Sequence, residues 1–170
     1  MNVFLIGLPG SGKSTLGKQV AQMLSLRMVD TDEEIVKAEG KSIEAIFAEK
    51  GEAAFRLLEQ QTLHKVAASD GQLISTGGGM PCFFDNIEHM NKKGISIFID
   101  VPLEALAQRL SLQHNRNSRP MLAGKSDEEI LAFLKQKYAE REPYYAQATY
   151  RLQGTNIQPG DLLNILNTLV

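Results

Sequence analysis

Gly7-Leu8-Pro9-Gly10-Ser11-Gly12-Lys13-Ser14, near the start of the chain, has the spacing G-x-x-x-x-G-K-[ST] of a phosphate cradle. Glycines in such a run let successive backbone N–H groups turn toward phosphate oxygens. A helix that begins at its end adds the positive end of its dipole. Lys13 has the reach to meet the β- and γ-phosphates of a nucleoside triphosphate, and the Ser14 hydroxyl is of the kind that coordinates Mg²⁺. Gly10, Ser11, Gly12, Lys13, Ser14 and Thr15 therefore form a candidate nucleotide-binding run, in which Thr15 reads as a helix residue more than as a second metal ligand. A chance match somewhere in a chain of 170 residues has a probability below about 1%. The flanks agree with the motif: an apolar strand, Val3–Ile6, precedes it, and Leu16, Val20, Met23 and Leu24 recur at helical spacing after it.

The cradle alone does not separate GTPase switches from small-molecule kinases. A guanine-reading Asn-Lys-x-Asp is missing, since its nearest approach, Asn91-Lys92-Lys93-Gly94, lacks the Asp. A kinase needs an acceptor site, and several groups of residues offer one. Asp30 and Asp32 follow a second apolar run two residues apart. In an extended segment that spacing puts both carboxylates on one side, suited to a metal-water contact and a hydroxyl contact. With Glu33 and Glu34 the same residues equally make an acidic helix start.

Arg56 and Glu59 stand at i and i+3 on one helical face, where the carboxylate either fixes the guanidinium for a ligand or forms a surface ion pair. Gly77-Gly78-Gly79 follows a buried strand, at the carboxyl end where doubly wound sheets bind ligands. Arg141 lies eleven residues after Ile130, on the inward stripe of a helix that Ser126 and Glu129 begin as a capping box and that Pro143 is expected to end near Glu142. Asp100, at the end of the run Ile95–Ile99, reads either as a metal carboxylate or as a turn and helix-cap residue.

Positioning these groups requires a scaffold. Val3–Ile6, Arg27–Asp30, Gln72–Ser75, Ile95–Ile99 and Tyr150–Gln153 read as strands, and longer amphipathic stretches separate them. This is the pattern of a parallel sheet covered by helices on both faces, a three-layer α/β/α fold. No repeat or Pro/Ser-rich linker divides the chain, so one domain over 1–170 is expected. Ser111–Gly124 is polar and aperiodic, carries Arg116 and Arg119, and reads as a loop.

Composition sets outer limits. With 43% hydrophobic and 22% charged residues the chain belongs with ordinary globular proteins. A formal net charge of −2 leaves no broad footprint for nucleic acid. No segment approaches the ~18 apolar residues needed to cross a bilayer, and Met1 leads directly into a short strand, unlike a secretory signal. Cys82 is the one cysteine, so no intramolecular disulfide forms, in keeping with a cytoplasmic location. His64, His89 and His114 are not at metal-ligand spacing and read as surface or packing residues.

Taken in order, Gly-x-x-x-x-Gly-Lys-Ser, Asp30-Thr31-Asp32, Phe55-Arg56, Gly77-Gly78-Gly79, Arg119-Pro120-Met121-Leu122 and Arg141-Glu142-Pro143-Tyr144-Tyr145 closely resemble the shikimate kinase family over nearly the whole chain. The resemblance implies a P-loop fold of the nucleoside monophosphate kinase type, with a five-stranded parallel sheet, an acceptor-binding helical insertion about 31–60 and a lid about 111–124. It implies transfer of the ATP γ-phosphoryl group to the 3-hydroxyl of shikimate with Mg²⁺, by a monomer. By the same resemblance, Asp32 contacts the acceptor hydroxyl as base and Asp30 helps hold Mg²⁺ through water. Arg56 and Arg141 bind the shikimate carboxylate, Gly77, Gly78 and Gly79 line its ring, and Arg119 closes onto the phosphates.

Arg109 stands where the family has an adenine-packing arginine, although the segment from Leu110 to Ser118 is longer than in relatives. Gln158 lies in the adenine-side loop, which keeps Asn156 and Pro159 but lacks the arginine found between them. The alternatives are another small-metabolite kinase of this fold, such as a gluconate or nucleotide kinase, in which Arg56 and Arg141 meet a different anion, and a nucleotide-dependent switch or binding protein.

Overall fold

The structure, a computed structural model, describes residues 1–112 and 119–169. Each short apolar run becomes a strand: β1 (Asn2–Ile6), β2 (Arg27–Asp30), β3 (Gln72–Ser75), β4 (Gly94–Asp100) and β5 (Tyr150–Gln153). They make one parallel sheet in the order β2-β3-β1-β4-β5. Every residue of the central β1 is buried, as expected where helices cover both faces. Its neighbours contribute Leu73, Ile74, Ile97 and Ile99 to the same core. β5, at an edge, alternates between exposed and half-buried residues.

The helices are α1 (Lys13–Met23), α2 (Thr31–Glu39), α3 (Ile43–Val66), α4 (Asn86–Lys93), α5 (Leu103–Ser111), α6 (Asp127–Tyr145) and α7 (Pro159–Asn167), with 3₁₀ turns at Met80–Cys82 and Pro120–Leu122. The architecture is three-layer α/β/α. Because β1 sits between β3 and β4, the loops leaving β1 and β3 emerge side by side at the carboxyl edge of the sheet, where such folds open a crevice. The phosphate cradle leaves β1 and the triple glycine leaves β3.

A second, smaller apolar cluster of Ile35, Ile46 and Phe55 joins α2 to α3, apart from the main core. Each such buried side chain contributes roughly 1.5–3 kcal/mol, which holds the insertion together locally. α3 breaks at Gly51, whose φ of 79° interrupts the helix and re-aims the length that carries Arg56.

Three local expectations are corrected. The strand β2 ends at Asp30, and Asp32 lies in the first turn of α2, so the two carboxylates do not share an extended segment. Met23 and Leu24 face solvent, at 63% and 37% exposure, because only Leu16, Val20 and Ala21 of α1 reach the core. α6 runs through Pro143 to Tyr145. A proline so near a helix end removes one hydrogen bond, while the fully buried Tyr145 anchors the extra turn. The Ser126 cap forms as expected, its hydroxyl accepting from the Glu129 N–H at 3.2 Å.

His64 of α3 and His89 of α4 stack with ring centroids 4.0 Å apart, a packing role, and His114 lies outside the described residues. Burial pushes the half-buried Cys82 thiol up to about 11, which keeps it inert at neutral pH.

Candidate active site

A cavity of about 660 Å³ opens at the carboxyl edge of the sheet and is lined by the cradle, Asp30, Asp32, Arg56, Gly77 to Gly79, Arg109, Arg119 and Arg141. On the cradle side, Gly12 takes a left-handed conformation (φ 88°) at the N-cap of α1, so the chain turns from β1 into the helix without a side chain over the opening. Lys13 is buried, and its Nζ donates to the carbonyls of Gly7 at 2.8 Å and Leu8 at 3.1 Å, and to Ser11 Oγ at 3.4 Å. Burial lowers its pKa to about 8, a shift that Asp32 partly offsets. Thr15 lines the cavity from the exposed side of α1.

Ser14 Oγ donates to Asp30 Oδ2 at 2.5 Å and lies 3.0 Å from Ser75 Oγ. The other oxygen of Asp30 accepts the N–H groups of Asp32 and Glu33 at 3.0 and 3.3 Å. This carboxylate caps α2, and its other oxygen stands with the Ser14 and Ser75 hydroxyls in a group of hard oxygen donors, of the kind that suits Mg²⁺. Ser75 was not singled out in the sequence. Its place comes from the parallel register of β2 with β3, which pairs it with Asp30.

The acceptor half is built from distant segments. Thr31 accepts the Gly77 N–H at 3.1 Å, and the Tyr145 hydroxyl donates to the Gly78 carbonyl at 2.6 Å. The triple glycine is thereby fixed between α2 and α6. A Cβ at Gly77 would stand 2.8 Å from Asp32 Oδ1, one at Gly78 2.8 Å from Arg141 Nη1, and one at Gly79 2.5 Å from Arg56 Nη1. Each glycine thus makes room for one charged group.

Asp32 is pushed above the ordinary carboxylate range by burial and then by Asp30, against the pull of Lys13, Arg119 and Arg56. Glu59, only 1% exposed, holds Arg56 Nη1 at 2.7 Å. Burial raises its pKa to about 7, with Arg56 opposing. Arg56 Nε, Arg119 Nε and Arg141 Nη1 are buried without a hydrogen-bond partner. Unpaired guanidinium donors converging on a cavity are what an anionic ligand completes.

Arg109 bridges the cradle and the loop after β5, donating to Gly10 O at 3.2 Å and Thr155 O at 2.5 Å. Arg119 faces the cavity, and burial lowers its pKa against the pull of Asp32. Arg116 and the rest of 113–118 lie outside the described residues. Gln158 is not brought to the cavity: it is the N-cap of α7, with its amide donating to Asn156 at 2.8 Å and its N–H to Asp161 at 2.8 Å. Asp100 is also turned elsewhere. It accepts Arg151 Nε and Nη2 at 2.8 and 2.6 Å, and Pro102, not Asp100, caps α5.

Lys137 is a lining residue that sequence reading missed. Phe133, Lys137 and Arg141 succeed one another at i, i+4 and i+8 on one face of α6, a spacing that was there to be read.

Comparison with known proteins agrees with this arrangement. The shikimate kinase family model matches residues 9–169. The shikimate kinase of Parabacteroides distasonis is 42% identical over 99% of this chain and 96% of its own length. That of Bacteroides fragilis is 44% identical over 88% and 83%. Among solved structures, a shikimate kinase from Bacteroides thetaiotaomicron superposes with a TM-score of 0.92 at 39% identity, covering 99% of this chain and 97% of that one. The Acinetobacter baumannii shikimate kinase, solved in complex with shikimate, gives 0.84 at 30% identity over 99% and 91%.

Proposed function

The chain belongs to the shikimate kinase family, and from that premise we propose how its residues divide the work of phosphorylating shikimate with ATP to give shikimate 3-phosphate. The cradle from Gly10 to Ser14 surrounds the phosphates of ATP, and Lys13 exchanges the carbonyls it now holds for phosphate oxygens. Ser14 and, through water, Asp30 would hold Mg²⁺, with Ser75 beside them. The ion neutralises phosphate charge when bound. Arg109 closes the nucleotide end of the site against the loop that carries Thr155.

Shikimate lies against Gly77 to Gly79 with its carboxylate between Arg56 and Arg141. Asp32 faces the 3-hydroxyl. Its raised pKa makes it a better proton acceptor than an ordinary carboxylate. As the hydroxyl oxygen bonds to the γ-phosphorus, its proton passes to Asp32, the bond from that phosphorus to the β–γ bridging oxygen breaks, and ADP leaves. Arg119 and Lys13 stabilise the charge on the transferring group. We assign 31–60 to acceptor binding, on the strength of Asp32, Arg56 and Glu59 lining the cavity, and 111–124, of which 113–118 lie outside the described residues, to a lid, on the strength of Arg119 and Met121 lining it. The enzyme works as one domain, a monomer, in the cytoplasm; among the described residues no helix is long and apolar enough to cross a membrane.

The observation that supports this reading most is the pair of unpartnered donors, Arg56 Nε and Arg141 Nη1, on either side of the triple glycine. Arg56→Ala or Arg141→Ala should cost about 2–4 kcal/mol in acceptor specificity, mostly as a higher shikimate KM, with ATP binding unchanged. A shikimate analogue without its carboxylate should be a poor substrate for the parent and be discriminated against far less by the variants. Equal use of both acceptors by the parent would remove the carboxylate role.

A further inference from the structure

Arg56 is held on more sides than its ion pair accounts for. Glu59 fixes Nη1 from one edge, and the bare backbone at Gly79 lies against the same end. The guanidinium carbon Cζ lies over the Phe83 ring, 4.2 Å from its centroid. The rings of Phe55 and Phe47 stand farther away, at 5.5 and 6.0 Å. Attraction between a cation and the electron-rich ring face acts at such short range, and a guanidinium stacks there while its edge donors stay free for other partners. Glu59 and Glu52 take Nη1 and Nη2 at 2.7 and 3.3 Å, which leaves Nε without a partner; the Phe83 ring over Cζ adds a contact that neither carboxylate makes.

Phe83 stands next to an unfavourable turn. It follows the 3₁₀ turn Met80–Cys82, and the next residue, Phe84, has φ 53°, the left-handed region that a bulky side chain enters at a cost. Phe84 gains little burial in exchange, being 55% exposed. The turn lies directly after the residue whose ring meets Arg56. Strain held at such a point is a signature of a site that depends on it.

We propose that Phe83 is a positioning residue for the acceptor arginine: its ring sets the plane of the Arg56 guanidinium, so that the in-plane donors meet the shikimate carboxylate squarely. The proposal rests on the reading of Arg56 as a carboxylate ligand. It assigns acceptor affinity to a residue outside the cavity lining.

The test compares Phe83→Leu, which keeps an apolar side chain without a π face, with Phe83→Tyr, which keeps the face, and runs Arg56→Ala beside them. Phe83→Leu should raise the shikimate KM about 3- to 30-fold, with kcat and the ATP KM unchanged, and Phe83→Tyr should stay near the parent. With the analogue lacking the carboxylate, Phe83→Leu and parent should have the same KM. If Arg56→Ala raises the shikimate KM while Phe83→Leu does not, or if Phe83→Leu weakens the analogue as much as shikimate, the stacking role is overturned. If Arg56→Ala itself leaves the KM unchanged, the carboxylate reading fails first and this proposal with it. Should Phe83→Leu not fold, the parent still decides: ring current should move the Arg56 side-chain proton resonances upfield, and resonances at ordinary positions overturn the proposal.

Discussion

Two glycine clusters border the same cavity and differ in backbone: Gly7, Gly10 and Gly12 of the cradle all have positive φ, although a Cβ on Gly7 or Gly10 would also meet Ile99 or Leu110. In the phosphate cradle, Gly12 has φ 88° and no atom stands within 4 Å of where its Cβ would be. Its lack of a side chain serves the backbone conformation. In the triple glycine none of the three residues has a left-handed φ, but a Cβ on any of them would collide with Asp32, Arg141 or Arg56. There the missing side chain serves space. The nucleotide side is thus a shape made by consecutive residues. The acceptor side is a gap left between charged groups that arrive from elsewhere in the chain. Their polar atoms differ accordingly: Lys13 spends its donors on its own loop, whereas three arginines keep donors in reserve.

The most severe test of this contrast is Lys13→Ala. Turnover should fall by about 10³-fold or more, because the cradle's work is to place and neutralise charge on the transferring group. The melting temperature should not drop, since a buried ammonium is costly to keep. Coupled ADP release and circular dichroism measure the two halves, and near-normal turnover in a folded variant would take Lys13 out of the mechanism.

A smaller effect separates the glycines themselves. Gly79→Ala pushes on an arginine that Glu59 already holds, and a displacement of that order should lower kcat/KM for shikimate about 10- to 100-fold while leaving the ATP KM alone. Gly12→Ala should instead cost about 1–2 kcal/mol of stability from backbone strain and raise the ATP KM. If the two substitutions affect the same substrate, the contrast does not hold.

The mildest test is pH. Lys13 is charged below about 8 and neutral above it, since burial has lowered its pKa. The kcat/KM for ATP, which reports the free enzyme, should therefore decline above about pH 8, toward tenfold per unit. With ATP bound, the phosphate charges favour the ammonium, so kcat should hold to higher pH. The shikimate KM should show no matching limb, because Lys13 belongs to the nucleotide side. An ATP profile that is flat to pH 9.5 would contradict the lowered pKa.

What could be read in the sequence follows the same division. The cradle was legible because its eight residues are contiguous and its function needs nothing more distant. The inner strands β1, β3 and β4 were legible because burial on both faces leaves nearly unbroken apolar runs, whereas the edge strands β2 and β5 were legible more from their place between helical stretches. The Arg56–Glu59 pair was legible in part, as an i, i+3 spacing on a helix. Ser75 was not, because its meeting with Asp30 depends on which strands become neighbours and in what register. Tyr145 as the support of Gly78 was hidden behind Pro143, whose local rule predicted that the helix had already ended. Phe83 was invisible for a related reason: its ring meets Arg56 from a distant loop, a contact that no local spacing announces. Asp100 misled in the other direction. Its place at a strand end suited metal chemistry, and only the adjacency of β4 and β5 gives it to Arg151.

That last pairing has a consequence for the protein in crowded solution. A sheet edge presents a row of unsatisfied backbone groups on which a strand from another molecule can grow. Here both edge strands, β2 and β5, are four residues long, and each carries an arginine, Arg27 and Arg151, exposed to water. By tying Arg151 to the neighbouring strand, Asp100 keeps a cation stationed on the rim where such growth would begin. Asp100, turned from the cavity to Arg151, thereby helps to blunt an edge on which a strand could otherwise add.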